Sequence, residues 1–172
     1  MTFARPDHIS DLETLPRMPS WVTSMRAEAF EDVAFLSGAA LNHLYLVLGH
    51  EKVPHGLLRD RLALRAAEAC VAFAGRSERA VELRDAVHLL RPGDLPGPAG
   101  ETCLIWRRAV ERPVSIRALG RALPAFEPGQ IAAWLDAGKG APVTRAAMVL
   151  EAVLRDAPRA EVAGLILADV AL

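Results

Sequence analysis

Asp85 and His88 stand three residues apart in the sequence, and Arg84 lies one helical turn before His88. A carboxylate at that spacing can orient an imidazole for acid–base work. Arg61, Arg65 and Glu68 form a second polar group, spaced i, i+4 and i+7, so they stack along one side of a helix. Six side chains therefore make up a candidate polar cluster: Arg61, Arg65, Glu68, Arg84, Asp85 and His88. In a cleft, such a set would have shifted proton affinities and could carry a reaction. The plainer reading is a solvated seam in which Arg65 pairs with Glu68 and the Asp–His spacing is incidental. No Ser or Cys is placed in sequence to complete a nucleophilic triad, so the catalytic residues stay unassigned.

Other chemistry is weaker. His43, His50, His55 and His88 could be imagined around a metal, but no pair has the i, i+4 spacing of a helical zinc motif and no Cys-x-x-Cys exists. No metal and no cofactor is implied. The loop 91–100 holds three prolines and three glycines and opens a helix, a setting that can hold an anion. No Lys-Ser/Thr follows, so it is not a phosphate-binding P-loop, and rigid turn geometry explains it better. Cys70 and Cys103 sit among apolar residues and are expected to be reduced and packed. The pattern SIRALGRALP…IAAWL over 115–137 faintly resembles a helix-turn-helix. Its second helix offers Gln130 and Asp136 but no cation before Lys139, whereas phosphate contacts dominate DNA affinity.

The elements that must position these groups are helices. Over 57–73, Leu58, Leu62, Ala66, Ala69 and Phe73 form one apolar stripe, with Leu57, Leu64 and Val71 beside it and Ala63, Ala67 and Cys70 filling most of the rest. A helix apolar nearly all round is expected in the core, so 57–74 is expected to be the most buried element, with Leu62 inside. Gly75 ends it and Ser77 is placed to cap the next helix, 78–90. A short turn joins the two, so they are expected to pack antiparallel and bring their polar edges together. Pro98 suits the first turn of a helix over 98–111. Earlier, 21–30 reads as a short helix anchored by Trp21. Residues 32–48 follow with Val33, Leu36, Ala40, Leu44 and Val47 at helical spacing, closed by Gly49. Later, 115–123, 128–137, 143–156 and 159–172 complete the set.

The strings GAALNHL, RLALRAAEACVAFAGR, LRDAVHLLRPGDLPGPAG and the Trp-Arg-Arg of 106–108 resemble an uncharacterised alphaproteobacterial family, domain of unknown function 1403. The resemblance is good over 32–112 and resumes in AEVAGLILADVAL. It implies a bacterial protein and no activity. It also implies members longer than this chain, continuing past the position of Leu172.

Composition bounds the rest. Net charge is −1, which argues against a general nucleic-acid binder or a ligand of anionic membranes. Hydrophobic residues make up 52% and aromatics only 5%, so Ala, Leu and Val dominate and helix is favoured over sheet. No stretch reaches the roughly 18 apolar residues that span a bilayer, and Pro6, Pro16 and Pro19 interrupt any signal peptide. A cytoplasmic location is expected. The expected fold is all-α, a single irregular or orthogonal bundle of about seven to eight helices. Residues 1–30 are expected to be extended or weakly ordered, and 31–172 to form the helical domain. Three functional classes stay open: a non-catalytic interaction or regulatory module, an enzyme with an Asp/His/Arg/Glu cleft, and a helix-turn-helix DNA-binding regulator. Over 162–172 Asp169 is the only charge and no face of that helix is polar, which favours a homodimer to which the 143–172 hairpin contributes.

Overall fold

A computed structural model describes residues 17–172, and the fold is all-α. Among the described residues there are nine helices: α1 (Ser20–Ser24), α2 (Phe30–Leu48), α3 (His55–Phe73), α4 (Ala80–His88), α5 (Gly97–Ala109), α6 (Ile116–Ala122), α7 (Pro128–Asp136), α8 (Pro142–Asp156) and α9 (Glu161–Ala171). Each expected helix is present. The first 16 residues of the segment expected to be weakly ordered lie outside the described ones. The remainder of that segment includes α1, which is shorter than the 21–30 helix expected.

The chain divides into two compact units, the first running to Leu58 and the second covering Arg59–Leu172. In the first, Trp21 stacks on Phe35 with ring centroids 5.5 Å apart, and Val22 beside it is buried. Asp32 starts α2 by accepting the backbone N–H groups of Glu28 and Ala29 at 3.0 and 3.1 Å, which satisfies donors that a helix N-terminus leaves open. No residue of α2 is buried.

In the second unit, successive helices from α4 to α9 pack on one another, and α9 returns to touch α5 and α7. The closest pairing is α8 with α9. Gly164 eases it, because a Cβ there would stand 2.8 Å from Leu150 Cδ1 and displace the end of that side chain. The core holds Leu83, Leu119, Ile131, Val149, Val153, Ile166 and Leu167, all essentially inaccessible to solvent. Two tryptophans tie the helices together. Trp134 Nε1 donates to Asp156 Oδ2 at 2.9 Å, linking α7 to the end of α8, and its ring meets Phe126 edge-on at 5.1 Å. Trp106 Nε1 donates to Cys70 Sγ at 3.3 Å, linking α5 to α3. Arg145 of α8 donates through Nε to the Ala171 carbonyl and through Nη2 to the Leu172 carbonyl at 3.4 Å. A cation thus closes the negative end of α9, where such charge is favoured.

Two expectations are corrected. The stripe of α3 holding Leu62 and Phe73 is not the core face: Leu62 is 57% exposed and Phe73 77%. The buried line is Ala63, Ala67, Cys70 and Val71. The charged arc of Arg61, Arg65 and Glu68 stands opposite Ala63, Ala67 and Cys70 on the helical wheel, so the charges, rather than the size of the apolar side chains, mark the buried side. Cys70 of this line faces α5, where its Sγ accepts the Trp106 Nε1–H at 3.3 Å. The second correction concerns α4, which starts at Ala80 rather than after Ser77. Its first donors are satisfied by Glu82, which accepts the Arg79 N–H at 2.6 Å, and by Glu68, which accepts the Ala80 N–H at 3.2 Å. Gly75 ends α3 as expected, at φ +77°, with Arg76 N–H reaching the Val71 carbonyl at 3.1 Å.

Candidate functional site

The six polar residues singled out by the sequence fall into two pairs and two lone side chains. Arg65 pairs with Glu68 at 2.9 Å, on one helix. The same carboxylate reaches the backbone of α4, so Glu68 joins α3 to α4 as a structural bridge. Arg84 and Asp85 pair with each other, through Nε at 2.9 Å and Nη2 at 2.8 Å. Arg61 and His88 are exposed. Among the described residues no hydrogen bond joins Asp85 to His88, and none joins the side chains of the α3 group to those of the α4 group. Asp85 is occupied by its neighbour, and the geometry that would orient the imidazole is absent.

An apolar cavity lies elsewhere, in the second unit between α3, α5, α8 and α9. Its volume is about 700 Å³. One wall is Ala66, Ala69 and Phe73 of α3, the C-terminal part of the stripe expected to be buried, together with Cys70. Trp106 of α5 closes one side, and Ala146, Leu150 and Leu154 of α8 face Leu165, Ala168 and Leu172 of α9. A smaller hollow of about 170 Å³ continues past Phe73 to Ala74 and Val162. The only charged residues of the lining are Glu161 and Asp169, both open to solvent at the rim.

The helices present these side chains for local reasons. Ala66, Ala69 and Phe73 recur at i, i+3 and i+7, so they share one side of α3. Small residues at the first two positions hollow out that side, and the Phe73 ring forms its end. Leu165 and Ala168 of α9 and Leu172 just past it have the same i, i+3, i+7 spacing, with Asp169 beside them, while Ile166 and Leu167 point into the core. The apolar walls push the Asp169 carboxyl above the usual carboxylate range, and Arg112 partly opposes this. Burial likewise raises the Cys70 thiol, against a smaller opposing effect of the Trp106 hydrogen bond, and raises Cys103 against Arg107. Both thiols are free, buried and protonated at neutral pH, so neither is set up as a nucleophile.

Among the described residues no three of His, Cys, Asp and Glu gather closely enough to hold a metal ion. His50 Nδ1 accepts the Lys52 N–H at 3.2 Å within its own loop. In the loop before α5, Asp94 accepts the Arg91 N–H at 3.0 Å and folds the turn on itself. Gly100 then lets α5 lie close to what precedes it, since a Cβ there would meet Pro96 Cβ at 2.8 Å. In α7, Ile131 and Trp134 are buried, and the open side shows Gln130, Ala133 and Asp136, with no cation. No described helix is long and apolar enough to cross a membrane.

The sequence reading missed the cleft because it treated the whole Leu62–Phe73 stripe as core. The available signal was the step from large to small residues along that stripe. The chain belongs to DUF1403, a family of proteins of unknown function, whose model matches residues 6–172. The match extends well beyond the 32–112 stretch in which the likeness is plainest. No curated protein and no solved structure matches the chain.

Proposed function

We propose that the protein is a non-catalytic binding module whose cleft takes up a small apolar molecule, neutral or cationic rather than anionic. One observation carries this reading: a cleft of about 700 Å³ with almost wholly apolar walls. That volume falls within the roughly 300–1,000 Å³ of small-molecule sites. The lining has no paired acid and base, no activated thiol and no group of metal ligands, so binding is what it can do. The rim favours the charge type, because Glu161 and Asp169 would repel an anionic head group.

N-phenyl-1-naphthylamine, a neutral fluorophore that brightens in apolar surroundings, tests the reading. Titration should show saturable uptake, displaced by decanol or decylamine at lower concentration than by decanoate. Ala69→Trp should abolish uptake by filling the cleft from an exposed position on α3 while leaving the helical circular dichroism unchanged. No uptake by the native chain, or equal uptake by Ala69→Trp, contradicts the proposal.

A further inference from the structure

Helix α2 exposes an apolar face with a regular spacing. Phe30, Ala34, Ser37, Leu41, Leu44 and Leu48 follow one another at intervals of 4, 3, 4, 3 and 4, and all six are exposed, Phe30 to 92%. Alternating 3 and 4 is the seam of a left-handed coiled coil, the spacing at which one helix keeps the same face toward another. Val33 and Tyr45 flank the seam and are also exposed. Phe30 is 92% and Tyr45 76% exposed, so at about 150–250 Å² per aromatic side chain these two alone leave roughly 300 Å² open. Val33, Leu41, Leu44 and Leu48 bring the patch to several hundred Å², approaching the roughly 800 Å² that each partner gives a standard interface. Isolated apolar patches of that size are uncommon on monomers.

The order of residue sizes along the seam identifies the occupant. The six positions are symmetric about residue 39. Turned end for end, a second α2 places Phe30 against Leu48, Ala34 against Leu44, and Ser37 against Leu41. Each small residue then meets a leucine, and large residues meet only at the two ends, which is how facing layers fill space without voids. A parallel pair would instead set Ala34 on Ala34 and Ser37 on Ser37, leaving the middle of the seam empty. We infer that two copies of this chain associate through α2 as an antiparallel, two-fold symmetric helix pair. The contact is isologous, so it closes at a dimer. It is independent of the cleft and of what the cleft binds.

Light scattering and cysteine pairing test this together. At tens of micromolar the native chain should have twice the 18.5 kDa mass of one copy, and Leu41→Glu/Leu44→Glu should have the single mass with its helical circular dichroism intact. Under mild oxidation, Ala34→Cys mixed with Leu44→Cys should form a covalent dimer, whereas neither variant should link to itself, because like positions lie about 15 Å apart along the antiparallel pair. The native Cys70 and Cys103 are buried and serve as an internal control. A monomeric native chain overturns the inference. So does ready self-linking of Leu44→Cys, which marks a parallel pair. A dimer that survives Leu41→Glu/Leu44→Glu but is lost in Val143→Glu also overturns it and assigns the interface to the 143–172 hairpin.

Discussion

Helices α2 and α9 are both dominated by Ala, Leu and other apolar residues, and their fates differ. Five of the eleven residues of α9 are buried, including Ile166 and Leu167, and none of the nineteen in α2 is. What separates them is a partner of matching shape. Gly164 eases the approach of α8 to α9, and Arg145 closes its end, so α9 is covered within its own unit. Helix α2 touches α1 through Trp21 and Phe35, yet Phe35 stays 64% exposed and Leu46 53%, so apolar surface is open on this side as well as along the seam. Apolar content says that a helix needs cover, and only the surrounding shapes say where the cover comes from.

The largest expected effect lies between leucines. Leu167→Ala should cost about 2–5 kcal/mol, as buried large-to-small changes do. Leu44→Ala, at concentrations low enough to keep the chain monomeric, should cost less than about 0.5 kcal/mol. Leu62→Ala, on the exposed stripe of α3, should behave like Leu44→Ala. Chemical denaturation gives all three values. Equal losses at Leu167 and Leu44 would mean that α2 is packed within the chain.

A smaller effect distinguishes the regions by sign. At Gly138, between α7 and α8, a Cβ would stand 2.8 Å from Val149 Cγ2 and 3.0 Å from the Arg145 carbonyl oxygen. Valine is stiff and the backbone is fixed, so Gly138→Ala should destabilise by about 1–3 kcal/mol. At Gly38 of α2 nothing lies within 4 Å. Gly38→Ala should stabilise the monomer, by up to about 1 kcal/mol, through helix propensity alone. Thermal melts of the two variants should move in opposite directions, and a fall for Gly38→Ala would show a neighbour at that face.

The helices were legible in the sequence because proline and glycine punctuate them. Pro98, Pro128 and Pro142 fall in first turns, and Gly49 and Gly75 follow last ones. Legibility failed where two apolar lines share a helix. On α3, the lines Leu62–Phe73 and Ala63–Cys70 are both apolar, and ranking them by side-chain size picks the larger one, whereas the inside line is the one opposite Arg61, Arg65 and Glu68. The boundary between the two units falls at Leu58, within the unbroken helical pattern of α3, where no punctuation marks it. The Arg65–Glu68 pair could be read from spacing, but the bond from Glu68 to the Ala80 backbone could not, because it depends on where α4 begins. The cleft needs residues from Ala66 to Leu172 to converge, and local pattern carries no such information.

Hydrogen exchange measured at two protein concentrations tests the central contrast most directly. Amides of α9 should show the same slow exchange at submicromolar and at tens of micromolar protein, because their cover belongs to the same chain. Amides of α2 should exchange fast in the dilute sample and slow markedly in the concentrated one, as the second copy arrives. If α2 is as protected as α9 when dilute, and its protection does not change with concentration, its exposed seam is covered within one chain and the account is wrong.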